Sequence, residues 1–483
     1  MSEPVTQDDK APRREEDALG ALMVPGSALF GVQTARALDN FAISGIRIGD
    51  FPELVRALGM VKLACARANH ATGAMESEKL AAIEAACADI IAGRLDRQFV
   101  VDAFQGGAGT STNMNANEVI ANRGLATLGR KHGDYAHLHP NDDVNRSKST
   151  NDVYPTAIRL AVLSGRGALL DALRGLIEAF EERSAAFGGI VKVGRTQLQD
   201  AVPMTLGQEF GAFAAALRED IQRLEETAAL FREINLGGTA VGTRLNASHD
   251  YIRHAVASLS EISGEPFVSS ENLIEASWDA GGFVTFSGIL RRVAVKLSKI
   301  CNDLRLLASG PRNGIGEIRL PPVQPGSSIM PGKVNPVIPE AVNQVCFQVI
   351  GNDLVVTLAA EHGQLQLNAF EPVIIYNILT SMRLMTNVMT MLAQKCVAGI
   401  SADRDRCEHG AQASIALATA LVPLIGYAEA ARIAKEALAT GSTVVEIARR
   451  SGLDAHQIAK VLDPMLMALQ DAPGSTSSED RSR

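Results

Sequence analysis

The 483-residue sequence has no Cys-x-x-Cys pair and no His-Glu-x-x-His pattern, which removes the usual spacings of zinc ligands and leaves no defensible metal site. Its six cysteines, Cys65, Cys87, Cys301, Cys346, Cys396 and Cys407, stand far apart and mostly inside helical patterns, so they read as buried thiols rather than a disulfide framework. No basic run is interleaved with aromatics, and the formal net charge is -8. A polyanion is repelled by such a chain, so no nucleic-acid partner is expected. No window reads as an apolar run long enough to cross a bilayer, and the start MSEPVTQDDKAPRREED lacks the apolar segment of a secretory signal. No membrane partner and a cytoplasmic location are the corresponding expectations.

Apolar residues make up 46% of the chain and charged residues 21%, ordinary globular usage for a chain long enough for two or three structural units. Polar tails are expected at residues 1–15 and 470–483, the latter with the composition of a disordered segment. Between them, Phe286, Leu290, Val293, Leu297, Ile300, Leu304 and Leu307 alternate in steps of four and three, the apolar seam of one helix face. A second seam runs through Phe210, Ala214, Leu217, Ile221, Leu224, Ala228 and Phe231. Similar stretches from Pro155 to about Phe187, Val337 to about Gln364 and Pro372 to about Cys396 bring the long helices to five. The fold class is mainly α, with a central bundle of long helices over residues 153–396. An α-rich domain of shorter helices precedes it over residues 16–152, where Ala21 to Val32 reads as strand, and a small helical domain follows over 397–469. Helices this long carry more apolar face than five of them need to bury, which implies association between subunits.

From Ser309 to Pro336 the periodicity vanishes and glycine and proline recur, marking a long loop between two long helices. Within GSSIMPGKVNP, Gly326 to Pro336, the hydroxyls of Ser327 and Ser328, the glycine amides, the Lys333 charge and the Asn335 amide together form an anion site. Three further polar clusters interrupt apolar patterns. Gly106 to Asn117, GGAGTSTNMNAN, brings Thr110 and Ser111 beside small residues that let amides approach an anion, and it equally fits a glycine-rich helix start. Ser149-Thr150-Asn151-Asp152 precedes Pro155 and also reads as a helix cap. Thr196 and Gln197, in GRTQLQD, stand ahead of a helix that begins near Gly207, and turn chemistry alone would account for them.

The four stretches, in this order, resemble the fumarase/aspartase superfamily over nearly the whole chain, from about Leu19 to Leu469, and Gly326 to Pro336 resembles its signature. The resemblance implies a three-domain fold with a five-helix central bundle, tetramers that merge four bundles, and active sites assembled from three subunits. It implies reversible elimination beside a carboxylate-bearing carbon to give fumarate. In that scheme Ser327 is the base that removes the Cβ proton, and an alkoxide there needs strong stabilisation, for which the loop amides and Lys333 are candidates. Thr110, Ser149, Thr150 and Ser328 hold the β-carboxylate. Lys333 and Asn335, with Thr196, hold the α-carboxylate. Asn151, Thr110 and Thr196 face the departing group, with Gln197 beside it.

Thr150 and Gln197 resemble the aspartase branch, as do TQLQDAVPMTLGQEF from Thr196 and EHGQLQLNAFEPV from Glu361. His139-Pro140-Asn141-Asp142, Gly332 and Gly426 to Ala439 resemble fumarases instead. The resemblance therefore implies an L-aspartate/fumarate substrate, with malate and N-substituted aspartates as alternatives. No organic cofactor is implied, because the reaction moves no electrons.

Overall fold

A computed structural model describes residues 11–469, so residues 1–10 of the first expected tail and the whole of the second, 470–483, lie outside the described residues. The chain opens on a hairpin of β1 (Arg13–Asp17) and β2 (Gly20–Val24) in antiparallel register. Polar residues up to 15 were expected to lie outside the fold, yet Arg13 is anchored to the carbonyls of Ala28 and Phe30 and pairs with the buried Glu15 at 2.6 Å. Four helices follow: α1 (Val32–Asn40), α2 (Pro52–Ala71), α3 (Ser77–Ile91) and α4 (Thr110–Thr127).

The five expected long helices are α5 (Thr150–Phe187), α6 (Leu206–Ala228), α8 (Gly281–Leu307), α9 (Val337–Glu361) and α10 (Glu371–Lys395), with the shorter α7 (His249–Ser263) between α6 and α8. The α8 seam is buried along its whole length, and so is nearly all of the α6 seam. A second hairpin, β3 (Val191–Thr196) and β4 (Gln199–Thr205), links α5 to α6. Two-residue strands form the remaining pairs, β5 (Glu233–Ile234) with β6 (Val268–Ser269) and β7 (Ile318–Arg319) with β8 (Ser401–Ala402). The chain ends in α11 (Arg404–Ala413), α12 (Val422–Thr440), α13 (Val444–Arg450), α14 (Ala455–Val461) and α15 (Pro464–Leu469).

The chain divides into two compact units, and each long helix gives one part to each unit. The first comprises the residues up to Leu170 with Gln222–Arg292 and Gln348–Leu384. Its bundle segments meet through Phe231 against Phe283 and Phe286, the Arg159 guanidinium over the Phe283 ring, and Asn352 donating to Ser381. The second comprises Asp171–Ile221, Val293–Phe347 and the residues from Met385 onward. There Phe180, Phe187, Phe210 and Phe213 form an aromatic cluster, and Leu417, Leu421, Ile433, Val444, Ile447 and Ile458 form the core of the C-terminal helices.

All six cysteines are free and buried, and burial pushes the Cys87, Cys346, Cys396 and Cys407 thiols up to about 12. By length and composition alone, α9 and the segment 415–440 are apolar enough to cross a bilayer, which corrects the expectation that no segment is. That expectation looked for an unbroken apolar run, whereas α9 is apolar around most of its circumference with polar residues interspersed. These make specific contacts: Asn343 donates to Ser298, and Asp353 pairs with Arg291. Segment 415–440 is interrupted by the non-helical Gly426, with φ 77° and ψ 162°.

Candidate active site

Helix α5 starts at Thr150, five residues before Pro155. The Ser149 hydroxyl accepts from the Asn151 amide at 3.2 Å, and the Asp152 carboxylate accepts from the Ser149 amide at 2.9 Å, so the two cap the helix reciprocally. Pro155 has no N–H to offer the carbonyl four residues back. That carbonyl, of Asn151, instead accepts from Asn235 Nδ2 at 2.9 Å, and Asn151 Nδ2 donates to the carbonyl of Ala240. The other Asp152 oxygen accepts from the amides of Gly237 and Thr239. Burial raises the Asp152 pKa while these amides oppose the shift. The candidate stretch Ser149–Asn151 is thus held by its own cap and by contacts to Asn235, Gly237, Thr239 and Ala240.

Helix α4 supplies the second part of the same cluster. Gly109 caps it in the left-handed region at φ 85°, and a Cβ there would lie 2.6 Å from the Tyr154 ring, so glycine alone fits. The Thr110 hydroxyl is exposed and donates back to the carbonyl of Gly107. One turn on, Asn113 is buried, and its Nδ2 donates to Thr150 Oγ1 at 3.0 Å. Two lysines with buried ammonium groups adjoin Asn145, whose Oδ1 lies 3.3 Å from Asn113 Nδ2. Lys62 Nζ donates to Asn145 Oδ1 at 2.9 Å, whereas Lys148 Nζ is buried with no hydrogen-bond partner among the described residues. Burial lowers the pKa of both, and their mutual repulsion lowers that of Lys62 further. Thr110, Ser149, Thr150 and Asn151 all belong to the first unit.

Thr196, Gln197, Ser327, Ser328, Lys333 and Asn335 belong to the second. Thr196 ends β3, and Gln197 and Leu198 form the two-residue tip of the β3–β4 hairpin with φ of 52° and 61°, the left-handed pair that a tight hairpin turn requires. The turn expected from the sequence is present at Gln197–Leu198, but it joins two strands that the sequence does not announce. Alternation in Val191, Val193, Val202 and Met204 was the signal available, weakened by Gly194 and Pro203. Behind the tip, Glu317 pairs with Arg195 at 2.7 Å and with the buried Lys192 at 2.8 Å, and Lys192 also pairs with Glu209 at 2.6 Å. None of these four residues stood out in the sequence.

The stretch Ser309–Pro336 is a loop, broken only by β7. Ser327 Oγ accepts from the amides of Ile329 at 3.3 Å and Met330 at 3.0 Å. Asn335 Nδ2 donates to the carbonyl of Gly326 at 2.6 Å, and a Cβ on Gly326 would collide with the Lys333 carbonyl, so the loop closes upon itself only with glycine there. Ser328 and Lys333 are exposed, and Gly332 turns the chain at φ 81°. His139 caps the turn Pro140–Val144 through Nδ1, which accepts from the amides of Asn141 and Asp142. Among the described residues no group of three or more His, Cys, Asp or Glu side chains is arranged to hold a metal ion.

The fold is mainly helical with five long helices, paired hydroxyls stand at the starts of two helices, and a glycine-bounded loop carries Ser327. The chain matches the family model described as Lyase over residues 20–351 and that described as Fumarase C C-terminus over residues 417–468, and it belongs to the fumarase/aspartase superfamily. It is 58% identical to the aspartate ammonia-lyase of Pseudomonas aeruginosa, over 94% of this chain and 96% of the other. Among solved structures it is similar to a fumarate lyase:delta crystallin from Brucella melitensis bound to cobalt, at 66% identity and TM-score 0.93, covering 95% of this chain and all of that one. The class II fumarase of Schistosoma mansoni, at 33% identity with the same coverage, gives a TM-score of 0.91.

Proposed function

We propose that the protein eliminates ammonia from L-aspartate to give fumarate. The observation that carries the chemistry is Ser327 Oγ receiving two backbone N–H groups in a loop beside Lys333. Amides aimed at that oxygen stabilise it as the alkoxide and bring a serine into the range of a general base. The alkoxide takes the Cβ proton, the β-carboxylate becomes a dianionic aci-carboxylate, and collapse of that intermediate forms the Cα–Cβ double bond as the C–N bond breaks. Ammonia leaves with the bond's electron pair and picks up a proton to become ammonium.

Thr110, Ser149, Thr150 and Ser328 hold the aci-carboxylate, where donors preset for the extra charge have most effect. Lys333, Asn335 and Thr196 hold the α-carboxylate. Asn151, Thr110 and Thr196 face the amine, with Gln197 alongside. The choice of an amine over a hydroxyl leaving group rests on Thr150 and Gln197 and on the 58% identity with an enzyme named for that reaction. The test is to incubate the pure protein with L-aspartate and with L-malate and to follow fumarate by ultraviolet absorbance. Faster turnover of aspartate supports the proposal, and faster turnover of malate overturns it in favour of a fumarase.

The sites are proposed to form in a homotetramer in which Ser149–Asn151, Thr196–Gln197 and the Ser327 loop of one site come from three different subunits. Support comes from α9, where Phe347, Leu354 and Leu358 recur at helical spacing and are 61%, 60% and 51% exposed. An apolar stripe of that kind on a bundle helix calls for a partner helix.

A further inference from the structure

We propose that Asn113 is a positioning residue that sets the direction of the Thr150 hydroxyl, so that its one proton is offered to the substrate carboxylate. Asn145 lies between Lys62 Nζ, 2.9 Å from its Oδ1, and the carbonyl of Lys148, 3.4 Å from its Nδ2. A carbonyl only accepts, so the Asn145 nitrogen must face it, and the Asn145 oxygen faces Lys62. That oxygen also lies 3.3 Å from the Asn113 side-chain nitrogen. The group that Asn113 presents to Asn145 is therefore its NH2, and the same NH2 reaches Thr150 Oγ1 at 3.0 Å. The Asn113 Oδ1 is buried without a partner among the described residues, so the orientation of this amide is set by Asn145 and not from its own far side.

Thr150 Oγ1 thus acts as acceptor toward the protein. Its hydroxyl proton is left to donate elsewhere, which a site for a carboxylate gaining charge requires. Asn113 lies one turn along α4 from Thr110, so one helix carries a hydroxyl of the site and fixes the direction of a second. The inference rests on the proposed carboxylate-binding role of Thr150, but not on which group leaves.

The test is a double-mutant cycle between Asn113 and Thr150, run on whichever four-carbon substrate the wild type converts. Asn113→Asp keeps the volume and presents only acceptors, so the Thr150 proton turns toward it and kcat/KM falls about 100-fold, mainly in kcat. Asn113→Leu removes the donor without adding charge and costs about tenfold. In a Thr150→Val background, with no hydroxyl to direct, each substitution changes kcat/KM by less than about threefold. The same losses in the valine background would mean that Asn113 acts through packing or charge, and the inference falls. It falls too if both single variants stay within threefold of wild type. Thermal midpoints separate these outcomes from unfolding, and Asn113→Asp carries the test if leucine disturbs the packing. A wild type inert toward aspartate but active on malate overturns the choice of leaving group alone.

Discussion

Ser327 has two amide donors and a place on an exposed loop, and these make separable predictions. Ser327→Ala removes the base without disturbing any packed side chain, so kcat is expected to fall about 10³-fold or more while the thermal midpoint moves by no more than about 2 °C. Circular dichroism melts alongside the fumarate assay check both halves, and a variant with a tenth of wild-type activity would remove Ser327 from its role. Gly326→Ala acts on the same oxygen indirectly. Its methyl group collides with the Lys333 carbonyl, so the closure that aims the amides of Ile329 and Met330 at Ser327 must open. The expected result is a fall in kcat of about 10- to 100-fold with stability nearly unchanged, since neighbouring loop residues are exposed.

At the scale of the element, helix starts do most of the work. Gly109 places Thr110 by tucking the first turn of α4 against the Tyr154 ring, and Gly109→Ala meets both a left-handed φ and that ring. We expect a loss of about 2–4 kcal/mol in stability, measured by denaturant unfolding, together with weaker substrate binding as Thr110 shifts. Helix α10 begins at Glu371, which is buried near Arg159 and pushed up to about 8 by burial, against the pull of the Arg159 charge. A folded pKa above the ordinary 4.5 means that the folded protein binds the extra proton. Its contribution to stability is complete below about pH 4.5 and is lost as pH rises toward 8. Glu371→Gln does not titrate. The thermal midpoint of the variant should therefore gain on the wild type from pH 5 to pH 8, with a maximal slope equivalent to about 1.4 kcal/mol per pH unit.

The same elements show what the sequence makes legible. The seams of α6 and α8 could be counted because a buried stripe on one long helix repeats every three or four residues, and nothing outside the helix is needed to see it. Helix α5 starts five residues before Pro155, although Pro155 looks like a first-turn residue. Only the fold reveals that Asn235, some eighty residues away, satisfies the carbonyl that proline orphans. The β3–β4 hairpin escaped for a related reason: Gly194 and Pro203 interrupt its short alternation, and Arg195 is held by Glu317 from a distant loop. Ser327, Lys333 and Asn335 were visible as a local motif. Asn113, Asn145 and Lys62 were not, because their meaning lies in a chain of donors and acceptors that joins three separate segments.

On the scale of the whole molecule, the exposed stripe on α9 and the spread of the proposed site residues over three segments lead to one experiment. If Thr150 and Ser327 of a single site come from different subunits, then Thr150→Val and Ser327→Ala, each nearly inactive alone, complement one another. Unfolded together in equal amounts and refolded, they assemble at random, and about a quarter of the sites receive an intact Thr150 from one subunit and an intact Ser327 from another. Recovery of about a quarter of wild-type activity, absent when the two variants are refolded separately and then mixed, is the expected result. Adding Phe347→Glu and Leu354→Glu to both variants places charge on the α9 stripe, where like charges on facing helices repel. Light scattering should then show smaller species, and complementation should vanish with the tetramer. Sites contained within one subunit predict the reverse: no recovery in the first mixture, and wild-type turnover by a dissociated chain that carries only the two glutamates.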